Sequence, residues 1–409
     1  MEDITATISF AAPGCDVFLW IILMGFPLAG FVALLWLIYY IYFVPLNWKR
    51  EPTEITYSFA TAGIKDGAIK RQIINRIRRL RKVGDPHMIP PPFPNGWYAL
   101  VESKDLGIGS VIEVTCLGEH FAVFRSTSGE ARVMDAYCPH MGANLAIGGS
   151  VIGDSIQCPF HEWRFSGVDG SCVNVPYSSC GPKTAKLKKW ISQEVNGAVF
   201  VWYHNEDETP WQLPVVDEIE SKLFVYHGRN EFTVNCHIQE IPENGADLAH
   251  FSAVHGDSLL GGMEPKGKWR SVLGTHSWEA MWQSDVDPKH TATVNLKHAM
   301  ILNIWPFGKL KVCRMDVSGK QVLFLYFPQT NRSFICVLCS TTDCTLHEIP
   351  YYGGEYNGKD MSVWNHKSFA NSPCLVKEDK AIRHYRSWYS QFYSDNSKTF
   401  AQAKGLVDW

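Results

Sequence analysis

Residues 17–48, VFLWIILMGFPLAGFVALLWLIYYIYFVPLNW, are 32 positions without one charge. About 20 apolar residues cross a bilayer, so this run is long enough to span with tilt. A signal peptide would show a basic start, an apolar core of about 7–15 residues and a small-residue cleavage site. Here Glu2, Asp3 and Asp16 precede the run and no such site follows it. The pattern predicts a permanent single-pass anchor. It then turns amphipathic: KDGAIKRQIINRIRRLRK (65–82) carries eight Lys/Arg against one Asp, with Ile73, Ile77 and Leu80 on one helical face and Ile74 beside it. A basic helix lying on lipid headgroups is expected there, with a solvated linker helix as the alternative.

DPHMIPPPFPNGW (85–97) reads as an extended linker. Beyond it come short β runs, SVIEVTCL, HFAVFRS and ARVMDAY, the last two joined by the turn STSGE. NGAVFVWYH (196–204) closes this all-β segment, and EDETPWQLP (206–214) breaks the chain. After about residue 220 the pattern is α+β, with strands GRNEFTVNCHI, HTATVNLKHAMILNIWP and KQVLFLYFPQ. A helix at roughly 376–393 places Ala381, Tyr385 and Trp388 as a core stripe. Asn331 opens a glycosylation sequon, which should stay bare in a cytosolic domain.

Length and charge narrow the picture. A chain of 409 residues can bury two ordinary domains, and a net charge of −3 argues against a nucleic-acid partner. Twelve cysteines could pair, but a chain this long does not need disulfides. Cys116, Cys236 and Cys313 sit singly in strand-like runs. Cys336 and Cys339, three apart in a strand, point to opposite faces. The usage reads as reduced and cytosolic. Lys49, Arg50 and the basic stretch put residues 49–409 in the cytosol by the positive-inside rule, leaving 1–16 in the lumen of the endoplasmic reticulum. Tyr39, Tyr40, Tyr42 and Trp48 form the interfacial belt.

The chemistry is concentrated in CPHMGANLAIGGSVIGDSIQCPFHEWRF (138–165). Cys138 and His140, then Cys158 and His161, make C-x-H-x17-C-x2-H. Structural zinc prefers cysteine pairs followed by histidine pairs. A thiolate and an imidazole in each cluster suit a [2Fe–2S] centre, two thiolates on one iron and two imidazoles on the other. Gly142, Gly148, Gly149 and Gly153 are expected to let backbone N–H groups reach the sulfurs. Each pair should sit on a loop leaving a short strand.

ENGADLAHFSAVH (243–255) holds a second set, Asp247, His250 and His255, as D-x2-H-x4-H. Two histidines and one carboxylate leave open positions for O2 and substrate on Fe(II). Histidines five apart are about 140° out of phase on a helix, so a bend after His250 is expected. The carboxylate ligand comes from Asp360, Glu378 or Asp379; chemistry alone does not choose among them. Trp278, Trp282, Phe307 and Phe251 are candidates for an apolar pocket.

These motifs resemble the Rieske non-haem iron oxygenases over nearly all of residues 90–400. The resemblance implies an all-β cluster domain (91–210), after the anchor (17–48) and the basic segment and linker (49–90), then a helix-grip α+β catalytic domain (211–409) with mononuclear iron. It gives Cys138, His140, Cys158 and His161 to the cluster and His250 and His255 to the iron. It selects Asp360, which precedes Val363-Trp364, and makes Asp247 the electron-transfer bridge from a cluster histidine to an iron histidine. The tail NSPCLVKEDKAIRHYRSWYSQFY resembles the steroid-hydroxylating branch. More narrowly, the anchor, the basic stretch, IQEIPENGADLAHFSAVH and VWNHKSF are similar to the Neverland-type cholesterol 7-desaturases of animals. That likeness implies conversion of cholesterol to 7-dehydrocholesterol in steroid-hormone synthesis, with O2 consumed and a head-to-tail homotrimer. No dinucleotide fingerprint or second iron–sulfur motif is present, so NAD(P)H acts through a separate reductase. The competing readings are a sterol or steroid hydroxylase, a Rieske electron-transfer subunit and a zinc-stabilised membrane scaffold.

Overall fold

A computed structural model describes residues 28–40, 43–50, 88–179, 184–223, 228–234, 236–255, 275–304, 308–322, 325–328, 335–339, 344–348, 360, 363–364 and 367–405. Residues up to Leu46 form one compact unit and Asn47–Trp409 another. In the first unit residues 28–40 are helical, and Leu28, Phe31, Val32, Trp36 and Tyr39 are all exposed. Trp36 stacks on Tyr40 at 5.5 Å. Among the described residues no helix is long and apolar enough to cross a membrane. Residues 17–27 and 41–42 of the predicted anchor lie outside the described residues, as do the basic stretch 65–82 and the sequon at Asn331.

A short strand, β1 (Leu46–Arg50), comes first. Ten strands follow between residues 96 and 203: β2 (Gly96–Glu102), β3 (Val111–Cys116), β4 (Glu119–Arg125), β5 (Ala131–Asp135), β6 (Ser150–Ile152), β7 (Ser155–Gln157), β8 (Arg164–Ser166), β9 (Cys172–Asn174), β10 (Ser192–Val195) and β11 (Ala198–Tyr203). They make three antiparallel sheets, ordered β10-β11-β2, β3-β4-β5 and β6-β7-β8-β9. The three predicted β runs are β3, β4 and β5, and STSGE turns β4 into β5. In β11 all six side chains are buried, as a strand covered on both faces requires.

The second half contains β12 (Gly228–Val234), α1 (Leu248–His255), β13 (Thr275–Ser284), β14 (Thr291–Ile304), β15 (Gly308–Val322), β16 (Leu325–Pro328), β17 (Ile335–Cys339), β18 (Cys344–Glu348) and α2 (Lys380–Tyr389). One sheet runs β1-β12-β18-β17-β16-β15-β14-β13. The run KQVLFLYFPQ, expected as one strand, is a hairpin: Val322 lies opposite Leu325 and Gly319 opposite Pro328. An even alternation of apolar residues cannot signal a reversal that two residues accomplish.

Along β13, Trp278, Ala280 and Trp282 turn inward while Ser277, Glu279 and Met281 are exposed. Trp282 packs edge-on against Tyr385 and Trp388 of α2, both at 5.5 Å. The stripe of α2 is Ile382, Tyr385, Trp388 and Tyr389, with Ala381 only partly buried. Truncating such a buried aromatic costs about 3–5 kcal/mol. Arg386 grips Glu243 with two bonds of 2.9 Å, tying α2 to the turn before α1.

The Pro-rich segment is a docked strap, not a free linker. Ile89 and Phe93 are buried. The Asn95 N–H donates to the Phe392 carbonyl (2.6 Å) and the Tyr98 hydroxyl to the Pro94 carbonyl (2.6 Å). Proline cannot donate a backbone hydrogen bond, so side chains and carbonyls fasten this strap.

Candidate metal centres

The loops after β5 and β7 carry the two Cys/His pairs, as the spacing predicts, and they are near copies. Cys138 N–H donates to Ala143 O (2.9 Å) and Gly142 N–H to Cys138 O (2.9 Å). At the same offsets, Cys158 N–H donates to Trp163 O (2.8 Å) and Glu162 N–H to Cys158 O (3.2 Å). The fourth residue after each cysteine is left-handed, Gly142 at φ 73° and Glu162 at φ 56°. Glycine takes that conformation freely, whereas Glu162 carries roughly 1 kcal/mol of strain.

Cys138 and Cys158 are buried and unbridged. Burial pushes the Cys138 thiol up to about 11; the His140 and Met141 N–H groups aimed at its sulfur favour the thiolate, and the adjacent Cys158 opposes it. These N–H groups, not those of the glycine-rich stretch, are the ones directed at that sulfur. Gly149 serves close packing instead: a Cβ there would lie 2.0 Å from the Leu145 carbonyl oxygen. The His140 and His161 rings are 4.8 Å apart. Trp163 stacks flat on His140 at 4.3 Å and donates Nε1–H to the Tyr177 hydroxyl at 2.7 Å. Phe160 packs on His161. Nδ1 of His161 is buried without a hydrogen-bond partner, a state that costs about 1–3 kcal/mol unless a ligand takes the nitrogen. Two thiols that resist ionising beside each other and an orphaned imidazole nitrogen fit a [2Fe–2S] group, whose irons supply the missing positive charge.

The second centre is built on α1. Nδ1 of His250 lies 2.5 Å from the Asp247 carbonyl oxygen. A carbonyl only accepts, so Nδ1 carries the proton and Nε2 is left for a metal. The Asp247 carboxylate accepts the His250 backbone N–H at 3.2 Å and so caps the helix. The expected division of labour is thus shifted: the carbonyl orients the ring and the carboxylate secures the turn. The predicted bend is not seen either, since the backbone is helical from Leu248 through His255. The His255 side chain lies outside the described residues.

Of the three candidate carboxylates, Asp360 is buried (7% exposed), beside buried Trp364. Glu378 is exposed, and Asp379 caps its own turn by accepting the Val376 N–H at 3.0 Å. Among the described residues no three His, Cys, Asp or Glu side chains converge on one ion. A [2Fe–2S] centre does not ask for that, because each iron takes only two protein ligands.

Sequence reasoning missed two features here. His237 bridges to the strap, its Nε2 near the carbonyls of Pro90 (3.2 Å) and Pro91 (3.3 Å). Burial draws its pKa down to about 4. His276 and His298, on β13 and β14, stand 2.6 Å apart. Lone histidines within apolar strands give no local signal. Of the four proposed pocket aromatics, Trp278 stacks on Phe251 (5.6 Å), Trp282 belongs to the core, donating to Gln321 at 2.7 Å, and Phe307 lies outside the described residues.

Residues 96–191 match the profile of the Rieske [2Fe-2S] domain, and residues 201–296 and 352–393 that of the 3-ketosteroid 9alpha-hydroxylase C-terminal domain. The chain is 44% identical over 399 residues to cholesterol 7-desaturase nvd of Drosophila melanogaster, covering 90% of this chain and 91% of that one. It is 30% identical over 339 residues to the oxygenase component of the 3-ketosteroid-9-alpha-monooxygenase of Rhodococcus rhodochrous, covering 76% and 86%. Among solved structures, NdmA of Pseudomonas putida shares the fold at a TM-score of 0.50 and 15% identity, covering 77% of this chain and 95% of that one. Cluster half and catalytic half together define a Rieske non-haem iron oxygenase, an oxidoreductase. Within that class the chain belongs to the cholesterol 7-desaturase family. Membership brings a [2Fe–2S] cluster and a mononuclear iron, with O2 and NAD(P)H, the latter through a separate reductase, as co-substrates.

Proposed function

We propose that this protein desaturates cholesterol at C7–C8, giving 7-dehydrocholesterol for steroid-hormone synthesis. The observation that carries this reading is 44% identity to a cholesterol 7-desaturase across nine-tenths of the chain. Cys138, His140, Cys158 and His161 hold the cluster; His250, His255 and Asp360 hold the iron. When bound, the cluster supplies single electrons and the iron activates O2. The substrate loses one hydrogen from C7 and one from C8. With two electrons from the reductase and two protons, these hydrogens reduce O2 to two waters. His250 contributes a ring already fixed by the Asp247 carbonyl, with Nε2 presented to the metal. Phe251 and Trp278 supply apolar surface beside it. The test is product identification from cholesterol, O2 and a surrogate reductase: 7-dehydrocholesterol is expected, and no sterol product overturns the reading.

The match of the second half to a steroid-hydroxylase domain favours one alternative, a sterol hydroxylase with the same metal residues. A 7-hydroxylated product from the same incubation would establish it.

Assembly and address belong to the same reading. Phe160, Met141, Ile147 and Tyr177 around the ligand loops are exposed, an apolar rim suited to cover by a neighbouring subunit. In a head-to-tail homotrimer the cluster of one subunit faces the iron of the next, and the half-buried Asp247 links His161 to His250 across the interface. Mixed oligomers of Cys158→Ser and Asp360→Ala chains should recover activity that neither has alone. The uncharged run 17–48 and the exposed apolar helix at 28–40 support a single-pass anchor in the endoplasmic-reticulum membrane. Lys49, Arg50 and the basic stretch turn the catalytic part to the cytosol. Protease added to sealed microsomes should digest it; full protection reverses the topology.

A further inference from the structure

His276 and His298 take no part in the chemistry above, yet they lie on its doorstep. β13 and β14 pair with Trp278 opposite His298 and His276 opposite Met300. Nδ1 of His276 is 2.6 Å from Nε2 of His298, and the rings are parallel within 8°. Trp278 lies on His298 at 4.0 Å. The same indole stacks on Phe251 at 5.6 Å, and Phe251 packs on His250 at 4.0 Å. A continuous row of rings thus runs from the proposed iron ligand to the imidazole pair. It follows the inward side of β13, since Ser277 and Glu279 on the other side are exposed. The pair is polar at the far end of a surface otherwise made of aromatic carbon.

One nitrogen of the pair must donate and the other accept, so the two rings together offer both kinds of hydrogen bond. Burial, with His276 beside it, pulls His298 down to about 4, so it is neutral at physiological pH. A neutral donor–acceptor pair suits an uncharged hydroxyl, which also donates and accepts. It offers nothing to balance a carboxylate or phosphate. A sterol nucleus is rigid, so holding its C3 hydroxyl at one point fixes which ring carbons reach the metal.

We propose that His276 and His298 form a substrate-positioning pair that binds the 3-hydroxyl of the sterol and thereby presents C7 and C8 to the iron. This rests on the sterol reading of the preceding section, and the test separates the two. Purified full-length protein is assayed with cholesterol and with its 3-deoxy analogue, cholest-5-ene. The wild type should prefer cholesterol by roughly tenfold or more in kcat/KM, chiefly through KM, because the analogue leaves buried polar groups unmatched. His298→Phe should bring the two substrates within about threefold of each other while the Rieske absorption and iron content stay unchanged. His298→Gln, which keeps a donor and an acceptor, should restore part of the preference. Equal use of both substrates by the wild type overturns the inference even if a variant does not fold. Preference undiminished in His298→Phe overturns it as well. If the wild type converts no sterol, the desaturase reading itself falls.

Discussion

The two metal regions are built in opposite ways. The cluster loops lie within 28 consecutive residues, and each closes on itself through the same pair of backbone hydrogen bonds around its cysteine. The iron region draws on α1 and on Asp360, more than a hundred residues later, and on α2, whose Arg386 grips the turn before α1. A local loop needs little beyond its own chain to hold its ligands. A site gathered from distant segments depends on packing, and so on every contact that keeps those segments together.

The sharpest way to break this contrast is to damage one centre and watch the other. Cys158→Ser should abolish the Rieske electron-resonance signal entirely while mononuclear iron is retained; a variant with the full signal sinks the cluster assignment. Asp360→Ala should lose mononuclear iron and all measurable turnover with the cluster spectrum intact. Glu378→Ala, at an exposed position, should do neither, and the reverse result would move the carboxylate ligand to Glu378.

A smaller effect should separate the regions by pH. The pKa of His237 is drawn from 6.5 down to about 4, so the folded state favours the neutral ring. Its contribution is fully present above pH 6.5 and is lost as pH falls from 6.5 toward 4, by at most about 3 kcal/mol. Thermal melts across that window should show the loss, and His237→Gln should flatten it. The smallest effect lies in the cluster region. Glu162→Gly should relieve the left-handed strain and raise stability by up to about 1 kcal/mol without changing the cluster spectrum. A destabilised variant would mean that the Glu162 side chain does more than tolerate its backbone.

Legibility in the chain follows the same division. The four cluster ligands and the flanking strands were readable because they sit at fixed short offsets. His250 was readable from its neighbours, but not the role of the Asp247 carbonyl, since backbone groups leave no mark on residue choice. Asp360 needed the resemblance to be picked from three acids, and burial now separates it from the other two. The β15–β16 hairpin and the His276–His298 pair were hidden because they arise from strand register, which alternation alone does not set.

The Pro-rich strap has a practical side. Anyone releasing the catalytic part from its anchor must choose where to cut. A cut before Met88 keeps Ile89 and Phe93 in their buried seats and leaves the Pro90 and Pro91 carbonyls for His237. A cut at Trp97 removes all of these, together with the Asn95 bond to Phe392. The shortened protein would then expose the apolar seats left by Ile89 and Phe93 and leave the buried His237 ring without its acceptors. Low yield or aggregation of such a fragment would report the wrong boundary, not an unstable enzyme.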